Sequence, residues 1–410
     1  VNFTIKFYNL ESKSLKTAGI ICEYNPIHNG HARHIAETRA ILGEDGAVVC
    51  AMSGNFVQRG DFAVFGKHAR AMSAVASGAD LIVELPLPYV LSSAEGFARG
   101  GVGLLEALGV CTHLSFGSEA GETERLLALA ECMLRADMPA LIGEELKSGI
   151  SYARARQKAA ERVLGNKAEI LSTPNNILAV EYLKALKEYG SAMVPLTVRR
   201  FGAQHDSYGA ESASYLRRLL KEGKKPWDLM PAPAAGVLKA EIACGRGPVF
   251  MDAAETAVLS RLRMLPEETF ARLPDASEGL ELRLRRYARS MPTVPLILES
   301  AKTKRYAMSR LRRMLLCAVL GVEAEDSAST PPYIRVLAMN QKGMALLRKI
   351  KEKTALPVIT KPAEAKMLDG RARALFEKES AATDFYVLAY PGYENRTSGQ
   401  EWTTSPRILR

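Results

Sequence analysis

Two spacings of apolar residues alternate along the first half of the chain. Short continuous runs rich in β-branched residues, "AGIICEY", "GAVVCAMS", "DLIVELP", "THLSFGSE" and "AMVPLTVRR", are bounded by turn residues and predict strands. Between them, segments starting at His31, Lys67, Ser93, Glu122 and Asn175 place apolar residues three and four positions apart, which predicts helices. Alternation of this kind predicts an α/β fold, a mainly parallel Rossmann-like sheet with helices on both faces. Ligands in such sheets bind beyond the carboxyl ends of the strands, so the loops starting near Glu23, Ser53, Pro86, Gly117 and Arg200 are the ones to search.

The pattern changes after about residue 225. "KKPWDLMPAPAAG" is a proline-rich break, and the chain beyond it is mostly helical in spacing, with one strand-like piece, "YIRVLAMN". The expected organisation is an α/β domain over 17–225, a mostly α-helical domain over 226–392 and a loose polar tail over 393–410. The first sixteen residues are expected to lie outside the sheet.

Composition narrows the function. With 410 residues and a hydrophobic fraction of 47%, the chain can build real cores. No apolar run reaches the roughly 18 residues of a membrane span, and the N-terminal segment lacks the pattern of a secretory signal, so a cytoplasmic location is expected. The six cysteines are scattered without CxxC pairing, which favours reduced thiols over disulfides or zinc. A formal net charge of +10 suggests a polyanionic partner. The charge is concentrated: from Arg283 to Arg313 there are ten Lys/Arg against one acid, Glu299, with Tyr287 and Tyr306 interleaved. Phosphate contact with some aromatic stacking is the expected use of such a tract, a solvated helix face the plain one.

Three of only six histidines, His28, His31 and His34, fall within seven positions of "EYNPIHNGHARH". Asn25-Pro26 and Asn29-Gly30 are turn chemistry between a predicted strand and a predicted helix, the position where helix-start amides attract anions. Imidazoles there can donate to phosphoryl oxygens as charge develops, and glycine at 30 permits close approach of a nucleotide. A metal site would need further ligands, and no carboxylate sits at metalloprotease spacing. The other nucleotide motifs are near misses. "GDFAVFGKH" has five residues between its glycines and His after the Lys, so it is not a Walker A loop; "GGVGLLEA" has Glu106 in place of a third fingerprint glycine.

"HNGH" resembles the HxGH form of the HIGH motif of nucleotidyltransferases and class I aminoacyl-tRNA synthetases. The resemblance widens over "EYNPIHNGH", "MSGNFVQRGDFAVFGKHARA", "GADLIVELPLPY", "SAEGFARGGV", "FGSEAG", "STPNNILAVEYLKAL", "RRFGAQHD", "ASYLRRLL", "EGLELRL", "TKRYAMSRLRRMLL", "YIRVLAMNQKG" and "LPVITKPA". In this order, from about Ala18 to Tyr390, the blocks are similar to those of the bacterial tRNA(Met) cytidine acetate ligase family.

The resemblance implies an enzyme that uses ATP, Mg²⁺ and acetate to form acetyl-adenylate and then acetylates N4 of the wobble cytidine of elongator tRNA(Met), releasing AMP and pyrophosphate. His28 and His31 would be catalytic. The implied ATP site comprises Ile21, Cys22, Glu23, Tyr24, Asn25, Pro26, Ile27, His28, Asn29, Gly30, His31, Ala32, Arg33 and His34, with Gly117, Asn176 or its neighbour Asn175, Arg200, and Ser212, Ser214 and Arg217 as a phosphate-binding turn. Arg59, Lys67 and Arg70 follow a strand on the ligand side and are expected to meet triphosphate or RNA. Arg283, Arg286, Lys304, Arg305, Arg310, Arg312 and Arg313 are expected to meet tRNA phosphates. "AQHD" stands in place of a Gly-Tyr-His-Asp-like run, and "LELRL" lacks an Asn after Leu280, so Gln204 and Glu281 carry no assigned role. Glu84 and Glu95 are expected to be structural partners, and no protein partner is evident. The rivals are a small-molecule adenylyltransferase on the same HxGH fold and a non-catalytic tRNA- or ribosome-binding protein.

Overall fold

The structure, a computed structural model, describes residues 15–199 and 212–410. The first half runs β1 (Thr17–Cys22), α1 (Asn29–Leu42), β2 (Ala47–Ser53), the small strands β3 (Phe56–Val57) and β4 (Asp61–Phe62), α2 (Lys67–Val75), β5 (Leu81–Leu85), α3 (Leu87–Val90), α4 (Ala94–Ala107) and β6 (His113–Ser118). Next come α5 (Thr123–Met133), α6 (Met138–Leu146), α7 (Tyr152–Leu164), α8 (Pro174–Glu188), β7 (Val194–Arg199) and α9 (Ala213–Lys221). The second half contains α10 (Ala232–Ala243), α11 (Glu255–Met264), α12 (Glu267–Ala271), α13 (Leu280–Ser290), α14 (Val294–Ala301) and α15 (Met308–Leu320). It ends with β8 (Ile334–Met339), α16 (Gln341–Lys353), β9 (Val358–Ile359), α17 (Gly370–Val387) and β10 (Arg407–Ile408).

The main sheet has the strand order β10-β8-β5-β2-β1-β6-β7, with β9 beside β8. β5, β2, β1, β6 and β7 are mutually parallel, as the β/α alternation predicts. Strand order reverses between β1 and β6, so the carboxyl ends of these two strands open the crevice in which such sheets bind ligands. Alternation along the strands divides the core. Ile21, Val49, Ala51 and Val83 pack under α4, α5, α7 and α8, whereas Ile20, Val48, Cys50 and Ile82 face α1 and α2.

The division expected at residue 225 is not how the chain packs. β8 joins the sheet antiparallel to β5, and β10 adds parallel to β8. The helices α11 to α15 and α17 have their own apolar core, but Phe56 and Phe62 of the β3–β4 hairpin are buried in it. The hairpin turn lies directly on α15: a Cβ at Gly60 would stand 2.5 Å from the backbone N of Arg313. The segment expected to be a loose tail is built in as well, since Glu401 is buried and β10 belongs to the sheet.

Charge explains both departures. Lys67 Nζ lies 2.6 Å from Glu84 and 2.7 Å from Glu401, and Arg335 pairs with Glu401 on its other side. Asn55 bridges the same cluster, accepting from the Lys67 amide and donating to Thr383. A tail carboxylate neutralises a buried lysine of the first half, an arrangement that apolar periodicity does not encode. Among the described residues no helix is long and apolar enough to cross a membrane.

Candidate active site

A cleft of about 660 Å³ opens at the carboxyl ends of β1 and β6. Its polar wall is the predicted turn. β1 ends at Cys22, Tyr24 adopts positive φ, a cis Asn25-Pro26 bond follows, and the chain enters α1 with His28 as N-cap. The His28 ring accepts the Gly30 amide at Nδ1, 3.1 Å away. A neutral imidazole accepting at Nδ1 carries its proton on Nε2, so this cap makes Nε2 a donor. The His31 ring lies against it at a centroid distance of 3.7 Å, and Tyr24 meets His31 edge-on at 5.0 Å. His34 is anchored away from the reacting end, its Nε2 3.0 Å from Ser115 Oγ.

Glycine at 30 has a reason besides ligand approach. A Cβ there would lie 2.9 Å from Cε1 of His28, so glycine is what lets the ring fold back onto the helix start. Asn25 is buried and fixed from two sides: its Oδ1 accepts from the Val64 amide at 2.8 Å, and its carbonyl accepts from Arg217 at 2.8 Å. Arg217 also donates to Ser214 at 2.9 Å, so the start of α9 is tied to the His28 loop. Ser212 caps α9 by accepting from Tyr215, while Ser214 and Arg217 line the cleft.

The opposite wall comes from β6 and α8. Gly117 and Asn175 line the cleft, and Asn175 donates to Glu119. Asn176 does not line it: it is buried, bonded to Ser118 and to the Ile170 carbonyl, and of the two asparagines Asn175 is the one at the cleft. Arg200 lies outside the described residues. Within the loop, Pro26, Ile27, Asn29 and Ala32 stay off the cleft; Ile27 is buried beneath α1 and Asn29 donates to the Asp228 carbonyl. Ile21, Cys22, Glu23, Tyr24, Asn25, His28, Gly30, His31, Arg33 and His34 line it. Burial raises the Glu23 carboxyl, opposed by the Gln58 amide it accepts and by Arg217, Arg70 and Arg59.

Lys67 and Arg70 are corrections. Both are buried: Lys67 belongs to the ion cluster described above, and Arg70 donates to the carbonyls of Glu23, Ser53, Gly54 and Phe65, so neither presents charge to a nucleic acid. Arg59 is exposed at the cleft rim. Glu84 and Glu95 are ion-pair partners of Lys67 and Lys184.

The basic tract splits. Arg283, Arg286, Lys304 and Arg305 line a second groove of about 650 Å³ with Glu278 and Tyr306. Arg283 spends its guanidinium on the carbonyls of Ala301 and Ser300, and Arg310 bonds Asp275 and Ser277 beneath Tyr306. Arg313 is a further correction: it is buried beside Asp275 and lines neither the cleft nor this groove. Arg312 turns the other way and, with Ser309, lines the first cleft, its guanidinium 3.9 Å from Asp61. That contribution from the second half was not legible in sequence, and neither were Phe97 and Tyr182, which line the cleft but read as ordinary apolar helix positions.

A family model described as HIGH Nucleotidyl Transferase matches residues 15–401. The tRNA(Met) cytidine acetate ligase of Acetivibrio thermocellus is 37% identical over 96% of this chain and 100% of its own length. That of Caldanaerobacter subterraneus subsp. tengcongensis is 38% identical over 92% and 96%. The crystal structure of Thermotoga maritima TmcAL bound with alpha-thio ATP superposes with a TM-score of 0.89 at 33% identity, covering 97% of this chain and 100% of that one. Its apo form gives 0.91, with the same identity and coverage. The chain belongs to the tRNA(Met) cytidine acetate ligase family of HIGH nucleotidyltransferases.

Proposed function

We propose that this chain is a ligase that uses ATP and acetate to acetylate N4 of the wobble cytidine of elongator tRNA(Met). The observation that carries the reading is the His28–Gly30 cap at the strand-order switch, which sets the Nε2–H tautomer of an imidazole lining a nucleotide-sized cleft. One acetate oxygen attacks the α-phosphorus of ATP; the bond from that phosphorus to the bridging oxygen breaks and pyrophosphate leaves. The N4 amine then attacks the acetyl carbonyl, AMP departs with the carbon–oxygen bond pair, and N4 loses one proton.

His28 and His31 donate to phosphoryl oxygens as charge builds, and Arg217 holds the loop that presents them. Most of the remaining acceleration is positional, because both substrates are held in one cleft. A Mg²⁺ would arrive with the phosphates of ATP, held mainly by their oxygens. Bound there it would neutralise the departing pyrophosphate. The groove over α13 and the α14–α15 turn supplies the surface for RNA phosphates, with Arg286, Lys304 and Arg305 exposed on it.

The test is to incubate the protein with ATP, acetate and tRNA and to search the tRNA for N4-acetylcytidine by mass spectrometry, with acetate-dependent ATP–pyrophosphate exchange measured in parallel. Exchange without acetylated tRNA would favour a small-molecule adenylyltransferase. Neither activity would favour a binding protein.

A further inference from the structure

The cleft has two chemically different parts. Beyond the polar wall, on the α4/α8 face of the sheet, it continues into a recess walled by Ile21, Ala94, Phe97, Phe116, Leu178 and Tyr182. The aromatic walls are fixed: Phe97, Phe116 and Tyr182 are 3%, 4% and 6% exposed, and the Phe116 and Tyr182 rings lie 6.0 Å apart. Its floor is stiff as well. α4 presses so closely on Ile21 that a Cβ at Gly101 would stand 2.6 Å from its Cδ1, so Ile21 has no space to retreat into. Of these six residues only Tyr182 brings a polar side-chain group, its hydroxyl. Burial keeps that hydroxyl protonated, so toward an incoming anion it is a donor.

Resting on the proposed acetate ligation, we infer that this recess is the acyl subsite: it takes the methyl group of acetate, Tyr182 donates to one carboxylate oxygen, and Phe97 and Ile21 limit the length of the acyl chain. The other carboxylate oxygen then faces the start of α1, where the α-phosphate binds. Adenine is the rival occupant, because Asn175 and Gly117, which could meet a base edge, adjoin Leu178 and Phe116 of the recess, and the substitutions below separate the two.

A hydrophobic pocket discriminates one methylene by about 10–200-fold. Acid-dependent pyrophosphate exchange should therefore favour acetate over propionate in kcat/KM by roughly tenfold or more. Phe97→Ala should erase or reverse that preference with KM for ATP little changed. Phe97→Leu, which leaves less of a cavity, should shift it in the same direction and guards against a variant that fails to fold. Tyr182→Phe should raise KM for acetate selectively. A folded Phe97 variant with unchanged acid preference overturns the subsite, and so does one whose only change is a higher KM for ATP, which would give the recess to adenine. If no carboxylic acid supports exchange in the unaltered protein, the function itself falls, a result distinct from unchanged selectivity.

Discussion

His28 and Gly30 are one device: the ring nitrogen of the first accepts the amide of the second at 3.1 Å, and the missing Cβ of the second is what allows it. Gly30 sits within α1 and does not need positive φ, so alanine is conformationally acceptable there. The added methyl would lie 2.9 Å from His28 Cε1 and turn the ring off its line. Gly30→Ala should therefore keep the fold and lower acetate-dependent exchange by roughly 10², the scale for losing one preorganised donor. Unperturbed circular dichroism with near-normal exchange would remove the ring's orientation from the mechanism.

That device was half visible in sequence. The turn residues and the helix spacing placed His28 and His31 at a helix start, because both signals are local. The tautomer-setting contact was not visible, since it depends on a ring folding back two residues. The same boundary separates the rest. β1, β2, β5, β6 and β7 were legible from continuous apolar runs, but β10 is two residues in a polar segment and exists because it pairs with β8. Lys67 and Arg70 looked like surface cations, as lysine and arginine usually are, and their burial rests on partners up to 334 positions away in the case of Lys67 and Glu401. Arg312 and Arg313 are adjacent and basic, yet helical geometry sends one to the cleft and the other to Asp275.

Arg217 joins α9 to the His28 loop through the Asn25 carbonyl and Ser214, and burial works against its charge, so the two contacts must hold it. Lysine cannot reproduce the fork that reaches both. Arg217→Lys should raise KM for ATP by about tenfold, the scale of one hydrogen bond to a charged group. Exchange kinetics at varied ATP measure it. An unaltered KM would mean that the loop keeps its shape without the arginine.

Glu379 gives a pH dependence with a definite sign. It lies in the same buried cluster as Lys67, Glu84, Glu401 and Arg335, where three carboxylates face two cations, and it accepts from the Leu87 amide. Burial, then the Glu84 charge, pushes its carboxyl up to about 7. The folded chain thus holds a proton that the unfolded chain releases near the ordinary carboxylate value of about 4.3. Its contribution to stability is full below that value and is lost as pH rises toward 7. Glu379→Gln, neutral throughout, should gain stability relative to the unaltered protein on going from pH 5 to pH 8. Urea midpoints at the two pH values decide it, and parallel changes in both proteins would mean that Glu379 does not carry the extra proton.

The basic tract is tested best by the residues the fold leaves exposed. Arg313 cannot serve, because a carboxylate in its place would be buried beside Asp275 and would damage the fold. Arg286, Lys304 and Arg305 stand exposed along the groove with Tyr306 behind them. Changing all three to Glu should weaken tRNA binding strongly and flatten its dependence on salt, since each lost phosphate contact lowers the slope of log K against log salt by about 0.7–0.9. Exchange measured without tRNA separates loss of RNA from damage to the cleft and should persist, because these side chains do not line it. Arg312→Ala makes the contrast: it lies on the next helix but in the cleft, so it should lower exchange as well as tRNA acetylation. If the triple change left affinity and salt slope intact, the groove would be a solvated face and the RNA surface would have to include the Arg59 rim instead.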